Sequence, residues 1–273
     1  MFGHRQRMRQ GLAFGVWTLV MLTLTLMSGG STAGTNNDES WSPPALTGSA
    51  GDLPEARDVI QRAIDFMKSH PRVGFEAVST YEAVQENGQK LQFTMLQRVV
   101  LQLPDKIYWV TLFDNASTDT AWCKDGTFTL IKQPANVWAS VKVPAALSVA
   151  VSRISEEYKI AVPFVDLLSG DISDLWLGEE VEYVNYIGEA WVDGHWTDHV
   201  ALRKPGVDVQ IWFRQGDQPF PVKMAIVHTD EEGKPGYWAR FRKWSTQVPD
   251  SAIPKFAPPE GSEKLEIAPI VRP

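Results

Sequence analysis

Apolar and polar residues alternate along most of the segment 181–244. Residues 207–214 show the pattern most clearly, because every second side chain is apolar: Val207, Val209, Ile211 and Phe213. A period of two is typical of a strand that buries one face. The alternation continues in residues 222–229 and 237–244, and turn-forming pairs such as Asp193-Gly194 separate the runs. The segment therefore predicts five consecutive antiparallel strands.

The region before this segment contains a second set of strand-like runs, between residues 73 and 142. Asn87-Gly88 lies between two long apolar runs and predicts a type I′ turn. Asp125-Gly126 predicts another hairpin further along, and Pro104-Asp105-Lys106 predicts a turn between them. Together the two regions predict ten or eleven antiparallel strands.

Helical spacing interrupts the strands in two places. A first helix is predicted after Asp52, which is expected to act as its N-cap. A helical insert is predicted over residues 144–159, followed by a short helix over residues 163–168. The insert has one apolar face: Leu147, Val151, Ile154 and Tyr158. This face either packs tightly on the sheet or forms a lid over a space.

These elements predict an α+β fold that is mainly antiparallel β. A sheet of so many strands must curl or split, and helices are the natural filling of a curled sheet. We therefore expect a curved, incomplete β-barrel with the N-terminal helix and the helical insert on its concave face. A two-sheet sandwich and a closed barrel are the alternatives. The domain is expected to span residues 52–248, and the proline-rich residues 249–273 to form an extended tail with at most one edge strand, at 265–267.

The first residues have the pattern of a secretory signal peptide. Basic residues from His4 to Arg9 precede an uncharged apolar run from Gly11 to Met27, and small residues end at Ala33. An uncleaved membrane anchor is the alternative. Residues 34–51 are rich in small and polar residues and predict a disordered linker. The protein is therefore expected in the periplasm.

Composition narrows the possible functions. The chain is 44% hydrophobic with 11 Trp, which is enough for a substantial core. Its net charge of −7 disfavours nucleic acid as a partner. Cys123, beside Trp122, is the one cysteine, so no internal disulfide can form and the thiol is expected to be buried.

The sequence offers little catalytic chemistry. Its densest group of metal-ligand types is Asp193, His195, Asp198, His199 and Asp208. On a strand, however, His195 and His199 would lie roughly 13 Å apart, too far to share an ion. The adjacent pairs Glu156-Glu157 and Glu179-Glu180 would point apart, and the chain has no G-x-S-x-G motif. We therefore predict no catalytic residue, no metal and no cofactor.

Large aromatic residues are predicted on both faces of the C-terminal strands. Trp212 is expected on the opposite face of its strand from Ile211 and Phe213. Trp238 and Trp244 are both expected on the opposite face from Phe241. A sheet with one face in water does not carry large apolar groups on both sides. The second face must therefore be covered, or it must line a pocket.

Several short stretches, taken in order, give the chain a family resemblance. They are Leu103-Pro104-Asp105-Lys106-Ile107, Asp125-Gly126, Pro163-Phe164-Val165-Asp166-Leu167-Leu168, Val192-Asp193-Gly194, His199-Val200-Ala201-Leu202-Arg203, Val207-Asp208-Val209-Gln210-Ile211-Trp212 and Pro219-Phe220-Pro221-Val222-Lys223. Over residues 53–244 the chain resembles a family of predicted periplasmic proteins related to the LolA-like and LppX-like lipoprotein carriers. The resemblance implies an incomplete β-barrel whose concave, apolar face is lidded by helices. Relatives use such a face for acyl chains or lipids.

The resulting hypothesis is a non-enzymatic carrier or chaperone whose partner is a hydrophobic ligand, such as a lipid or the acyl chains of a lipoprotein. Another protein of the cell envelope is the second candidate partner, in which case the protein would be structural. A hydrolase is the third hypothesis.

The side chains expected to line the ligand-binding face depend on the strand register, because a shift of one residue would exchange them for their neighbours. The lining is expected to be Phe93, Met95, Tyr108, Val110, Leu147, Val151, Ile211 and Phe213.

The signal segment generates the first testable prediction. We expect protein recovered from its own host to begin near Gly34, because signal peptidase cleaves after small residues such as Ala33. N-terminal sequencing of the periplasmic fraction measures this. An intact Met1 in the membrane fraction would show that the apolar run is an anchor instead.

Overall fold

The computed structural model describes residues 55–164 and 172–269. The expected signal segment, the linker and Asp52 lie outside these residues, as does most of the short helix expected at 163–168. Cleavage near Ala33 and the disorder of residues 34–51 therefore stay predictions.

Twelve strands form a single sheet in the described residues. Their spatial order is β12-β6-β5-β4-β3-β2-β1-β11-β10-β9-β8-β7. All pairs are antiparallel except β12 with β6, which is parallel. The strands are β1 Arg72–Val84, β2 Lys90–Gln102, β3 Lys106–Phe113, β4 Thr118–Lys124, β5 Thr127–Gln133, β6 Val137–Lys142, β7 Tyr183–Val192, β8 His195–Lys204, β9 Val207–Arg214, β10 Pro221–His228, β11 Gly236–Ser245 and β12 Glu263–Leu265.

Within the described residues three α-helices accompany the sheet: α1 Ala56–Ser69, α2 Leu147–Tyr158 and α3 Ile172–Leu177. A single 3-10 turn follows at Asp250–Ala252. The N-cap of α1 is Glu55, so the helix begins later than the cap predicted at Asp52. The sequence analysis did not predict α3. None of the helices in the described part of the chain is both long and apolar enough to cross a membrane.

The sheet is a curved, incomplete β-barrel. Its two outermost strands, β7 and β12, are each paired on one side, so the sheet stays open. The α+β class and the incomplete barrel predicted from the alternation are confirmed, and the closed barrel and the two-sheet sandwich are not observed. Crowding of apolar residues on the helix side explains the curvature, because those side chains pack around the helices.

Two of the predicted tight turns have the expected backbone. Asp125-Gly126 and Asp193-Gly194 both adopt positive φ at each position, as a type I′ turn requires. Asn87-Gly88 differs, because its loop runs from Gln85 to Gln89, whose backbones are bonded to each other. The Asn87 side chain accepts the Gln89 N–H at 3.0 Å, so it builds an Asx-type turn instead.

The main core lies between the helices and the concave face of the sheet. Helix α1 packs against β7 and β8 and buries Ile60, Ala63 and Ile64. Trp176 of α3 meets the edge of Phe213 on β9. The predicted apolar face of α2 is buried as expected. Its members are Leu147, Val151, Ile154 and Tyr158, and they join the same core cluster. The helical insert is therefore packed on the sheet.

Two sequence-based assignments to a face were wrong. Tyr108 and Val110 lie on the convex face, because their strand neighbour Trp109 occupies the concave core. The prediction of Trp244 opposite Phe241 fails for a different reason. Lys243 takes a left-handed conformation within an irregular β1–β11 register, and this extra residue returns Trp244 to the concave side.

One half of the convex face is covered by the C-terminal residues. Ile253 and Phe256 pack on a second apolar cluster that includes Trp122, Tyr108 and Trp138. The Trp122 indole donates to the Pro254 carbonyl at 3.0 Å. The tail therefore closes this half of the convex face. The single edge strand expected in it at 265–267 lies at 263–265 instead, as β12.

Trp212, on the other half of the convex face, is buried by its neighbours on the sheet. The His199 ring stacks on it with centroids 4.0 Å apart. The Lys223 ammonium lies over the same ring, 4.2 Å from its centroid. Polar side chains of the neighbouring strands thus cover Trp212 on the convex face.

Substitution of Ile253 tests whether the C-terminal tail stabilises the protein by covering the convex face. Ile253 is 6% exposed, whereas Leu265 in the same tail is 42% exposed. We expect Ile253→Ala to lower the free energy of unfolding by about 2 kcal/mol, because it opens a gap over Trp122. Leu265→Ala, the matched control, should change it by less than about 0.5 kcal/mol. Urea unfolding measures both, and equal effects would show that the tail contributes no specific packing.

Cys123 generates a second prediction for the core. The side chain is 2% exposed, and burial raises the pKa of the thiol to about 11. The reactive thiolate is therefore scarce at pH 8, and a reagent cannot reach it. We expect no reaction of native protein with a disulfide reagent, and complete reaction in guanidinium chloride. Rapid labelling of the native protein would contradict this packing.

Candidate ligand-binding face

The helix-covered core ends at a row of polar residues on the concave face. Behind this row, the side chains that face one another across β2 to β5 are apolar and buried, as in Val99, Trp109, Ala121 and Leu130. One pleat further on, Gln97, Thr111, Asp119 and Lys132 are direct partners across the same four strands. We refer to these four residues as the polar row. It marks where the apolar core gives way to polar groups.

Beyond the polar row the concave face becomes apolar again. Six side chains from β1, β2, β3 and β11 lie there and are all half-buried: Tyr81, Leu91, Phe93, Met95, Phe113 and Tyr237. We refer to these six residues as the distal patch. Met95 is the cross-strand partner of Phe113, and the Tyr81 and Phe93 rings stack with centroids 5.5 Å apart. The distal patch is thus a continuous apolar and aromatic surface next to the closed core.

A chain of hydrogen bonds links the distal patch to the polar row. The Tyr237 hydroxyl donates to the Ser79 Oγ at 2.8 Å, and Ser79 donates to the Gln97 Oε1 at 2.9 Å. Ser79 and Gln97 are both buried. Burial raises the pKa of Tyr237 to about 12, so its hydroxyl is neutral and able to donate. Three strands, β1, β2 and β11, are joined by this chain.

An anion lies near the distal patch. Burial and the nearby Asp114 carboxylate both raise the pKa of Tyr81. At the far end of the polar row, the Lys132 ammonium is paired with Asp119 at 2.6 Å. A carboxylate therefore lies near one member of the distal patch, and the cation of the polar row is paired with another carboxylate.

The eight lining residues predicted from the sequence fall into three groups. Phe93 and Met95 belong to the distal patch. Four others are buried in the core: Ile211, Phe213, Leu147 and Val151. Tyr108 and Val110 lie on the convex face, where Tyr108 packs with Trp122. Contact of any of them with a ligand stays a prediction.

Four members of the distal patch were missed by the sequence analysis: Tyr81, Leu91, Phe113 and Tyr237. Strand alternation does group Leu91 with Phe93 and Met95, so that one could have been found. The other three come from different strands. Only the pairing register places them side by side, and the sequence does not fix that register.

The residues weighed as metal ligands turn to separate partners. Asp193 pairs with Arg240, and Asp208 with Arg203. His199 stacks on Trp212 and contacts Gln210, while His195 is exposed. Among residues 55–164 and 172–269, no three His, Cys, Asp or Glu side chains are grouped so that they could hold a metal ion.

Asp198, the fifth of those residues, lies at the contact between α1 and the sheet. Its carboxylate accepts from Arg62 of α1 at 3.2 Å, from the Tyr186 hydroxyl at 3.2 Å and from Gln215 at 2.9 Å. Burial, together with the Asp198 charge, raises the pKa of Tyr186 to about 12. A neutral Tyr186 with its proton held by Asp198 is a structural donor, so this cluster positions the helix.

Residues 56–268 match the family model described as Predicted periplasmic protein (DUF2092). This confirms the resemblance to periplasmic proteins predicted from the short stretches. A comparison with curated proteins finds no match.

Solved structures similar to this chain include the two groups that the resemblance names. Lipoprotein LppX of Mycobacterium tuberculosis is 13% identical over 71% of this chain and 97% of that chain, with a TM-score of 0.45. LprF of Mycobacterium bovis is 14% identical over 72% and 96%, with a TM-score of 0.45. A LolA superfamily protein of Nitrosomonas europaea is 9% identical over 74% and 99%, with a TM-score of 0.32. These similarities are distant and carry no argument about a ligand.

Proposed function

The chain belongs to the DUF2092 family of predicted periplasmic proteins, and from this premise we propose that it is a non-enzymatic periplasmic carrier of a hydrophobic ligand. The ligand class is a lipid or an acyl chain. The observation that supports this proposal is the distal patch, six half-buried apolar and aromatic residues on the concave face.

An apolar surface at this place needs a reason. An antiparallel sheet can leave one face in water, but such a face is normally polar. The convex face illustrates the alternative, because Trp122 and Trp212 are each buried there by other parts of the chain. The distal patch stays half-exposed although it carries Phe113 and Met95. Contiguous apolar surface of this kind is typical of a binding site.

The proposed site differs from the lid over a space considered from the sequence. Leu147 and Val151 of α2 are buried against the core and would have to move to admit a ligand beneath the helix. On the distal patch a ligand can bind without moving α2. Each methylene removed from water adds about 0.8 kcal/mol, so an acyl chain gains affinity in proportion to the length that lies on the patch.

Phe113 provides the direct test, with Leu112 as its matched control. The two residues are adjacent on β3 and point to opposite faces, and Leu112 is 43% exposed on the convex side. We expect delipidated wild type to bind a pyrene-labelled alkane saturably. Phe113→Lys should weaken binding at least roughly tenfold, because a charge would have to be desolvated against the chain. Leu112→Lys should leave the Kd within about twofold.

Fluorescence titration measures these constants, and native mass spectrometry of protein from its own host identifies any lipid that copurifies. Equal weakening by the two lysine substitutions would indicate a general effect of charge. No binding by the delipidated wild type would favour the alternative, a structural protein of the envelope whose distal patch contacts another protein.

A further inference from the structure

The polar chain beside the distal patch has hydrogen-bonding capacity that the fold does not use. Gln97 is 5% exposed and accepts from Ser79 through its amide oxygen. None of the hydrogen bonds among the described residues uses the two N–H donors of this amide. In the described part of the chain, no fully buried side-chain nitrogen or oxygen lacks a partner. The Gln97 Nε2 therefore retains a little access to the space above the sheet.

The orientation of the amide is fixed by its neighbours. Tyr237 donates to Ser79, so Ser79 is left with its own proton to donate, and the Gln97 oxygen receives it. The amide nitrogen must then point the other way, as a donor. A burial of this depth is usual only for polar groups with partners. Among the described residues, no protein group accepts from the Gln97 amide nitrogen.

The position of this donor relates it to the apolar surface. Gln97 and Met95 are two residues apart on β2 and share the concave face, and their cross-strand partners are Thr111 and Phe113. An acyl chain on the distal patch would therefore end within reach of the amide. The ligand atom that would then lie next to the amide is an oxygen bonded to the first carbon of the acyl chain.

The charges near the site indicate whether that oxygen belongs to a carboxylate or to an uncharged carbonyl. The Asp114 carboxylate acts on Tyr81 in the distal patch, and Lys132 of the polar row is paired with Asp119. A carboxylate at Gln97 would lose its water, and the cation of the polar row is already paired with Asp119. An uncharged carbonyl meets only a neutral donor, which suits it.

We propose that the Gln97 amide donates a hydrogen bond to the carbonyl oxygen of an uncharged acyl ester whose chain lies on the distal patch. This inference rests on the proposed function and specifies the ligand class of the same site. The protein then distinguishes esterified acyl chains from free fatty acids.

Three probes of equal chain length test the assignment: a pyrene-labelled alkane, the methyl ester of a pyrene-labelled fatty acid, and the free acid. We expect Gln97→Met to weaken binding of the ester roughly tenfold, because the bound carbonyl loses its donor. Binding of the alkane should change by less than about twofold. Gln92→Met is the matched control, since it makes the same change on the convex side of β2, and should alter neither constant. At pH 8 the wild type should bind the ionised acid roughly tenfold more weakly than the ester.

Infrared spectroscopy gives a readout that needs no variant. The carbonyl stretch of an ester labelled with carbon-13 should shift to lower frequency on binding to the wild type. An unshifted carbonyl, or a Gln97→Met variant that binds the ester as the wild type does, would overturn the assignment. If the alkane also fails to bind, the carrier function itself is wrong. If the alkane binds normally, the carrier function stands and only the ester site is lost. Circular dichroism verifies that the variants are folded.

Discussion

The concave face of the sheet carries more apolar surface than its helices cover, and the rest of the structure depends on this mismatch. Helices α1, α2 and α3 close one part of the face into a core in which Ile107, Phe128 and Phe213 are fully buried. At the polar row the side chains become polar, and the apolar side chains beyond it are half-buried. The boundary of the core is held there by the hydrogen bond that Ser79 donates to the Gln97 amide oxygen. On the proposed function, a ligand on the distal patch would therefore bind and leave without unfolding the core.

The two faces of the sheet differ in how their large apolar side chains are covered. On the convex face, Ile253 and Phe256 from the tail cover Trp122 and its neighbours. Further along, Lys223 and His199 cover Trp212. Burial and the Lys223 charge both lower the pKa of His199, which keeps the imidazole neutral against the indole. Residues of the chain itself thus cover the tryptophans of the convex face, whereas the apolar surface beyond the polar row on the concave face stays half-buried.

Local patterns predicted most of the fold and only part of the site. Alternation and turn residues located the strands of β1 to β11, since both signals are local. They could not assign faces across strands, and so Tyr108 was grouped with Phe93 although the two lie on opposite sides. The bulge at Lys243, which reversed Trp244, depends on a backbone conformation that lysine rarely adopts and has no sequence signal. Tyr237 joined the site through a hydrogen bond to Ser79, a contact 158 residues apart in sequence.

The energetics of α2 decide where a ligand can bind at low cost. Displacing this helix would expose Leu147, Val151 and Ile154, each of them almost fully buried. At about 2 kcal/mol for each side chain, the loss is about 6 kcal/mol. A ligand would need about eight methylenes, at about 0.8 kcal/mol each, only to offset it. The ion pair between Arg62 and Asp198 adds little to the hold on α1, because Arg62 is largely exposed, and the apolar face of α1 holds it instead. Both helices are thus fixed by packing, and the distal patch is the apolar surface that a chain can reach while they stay in place.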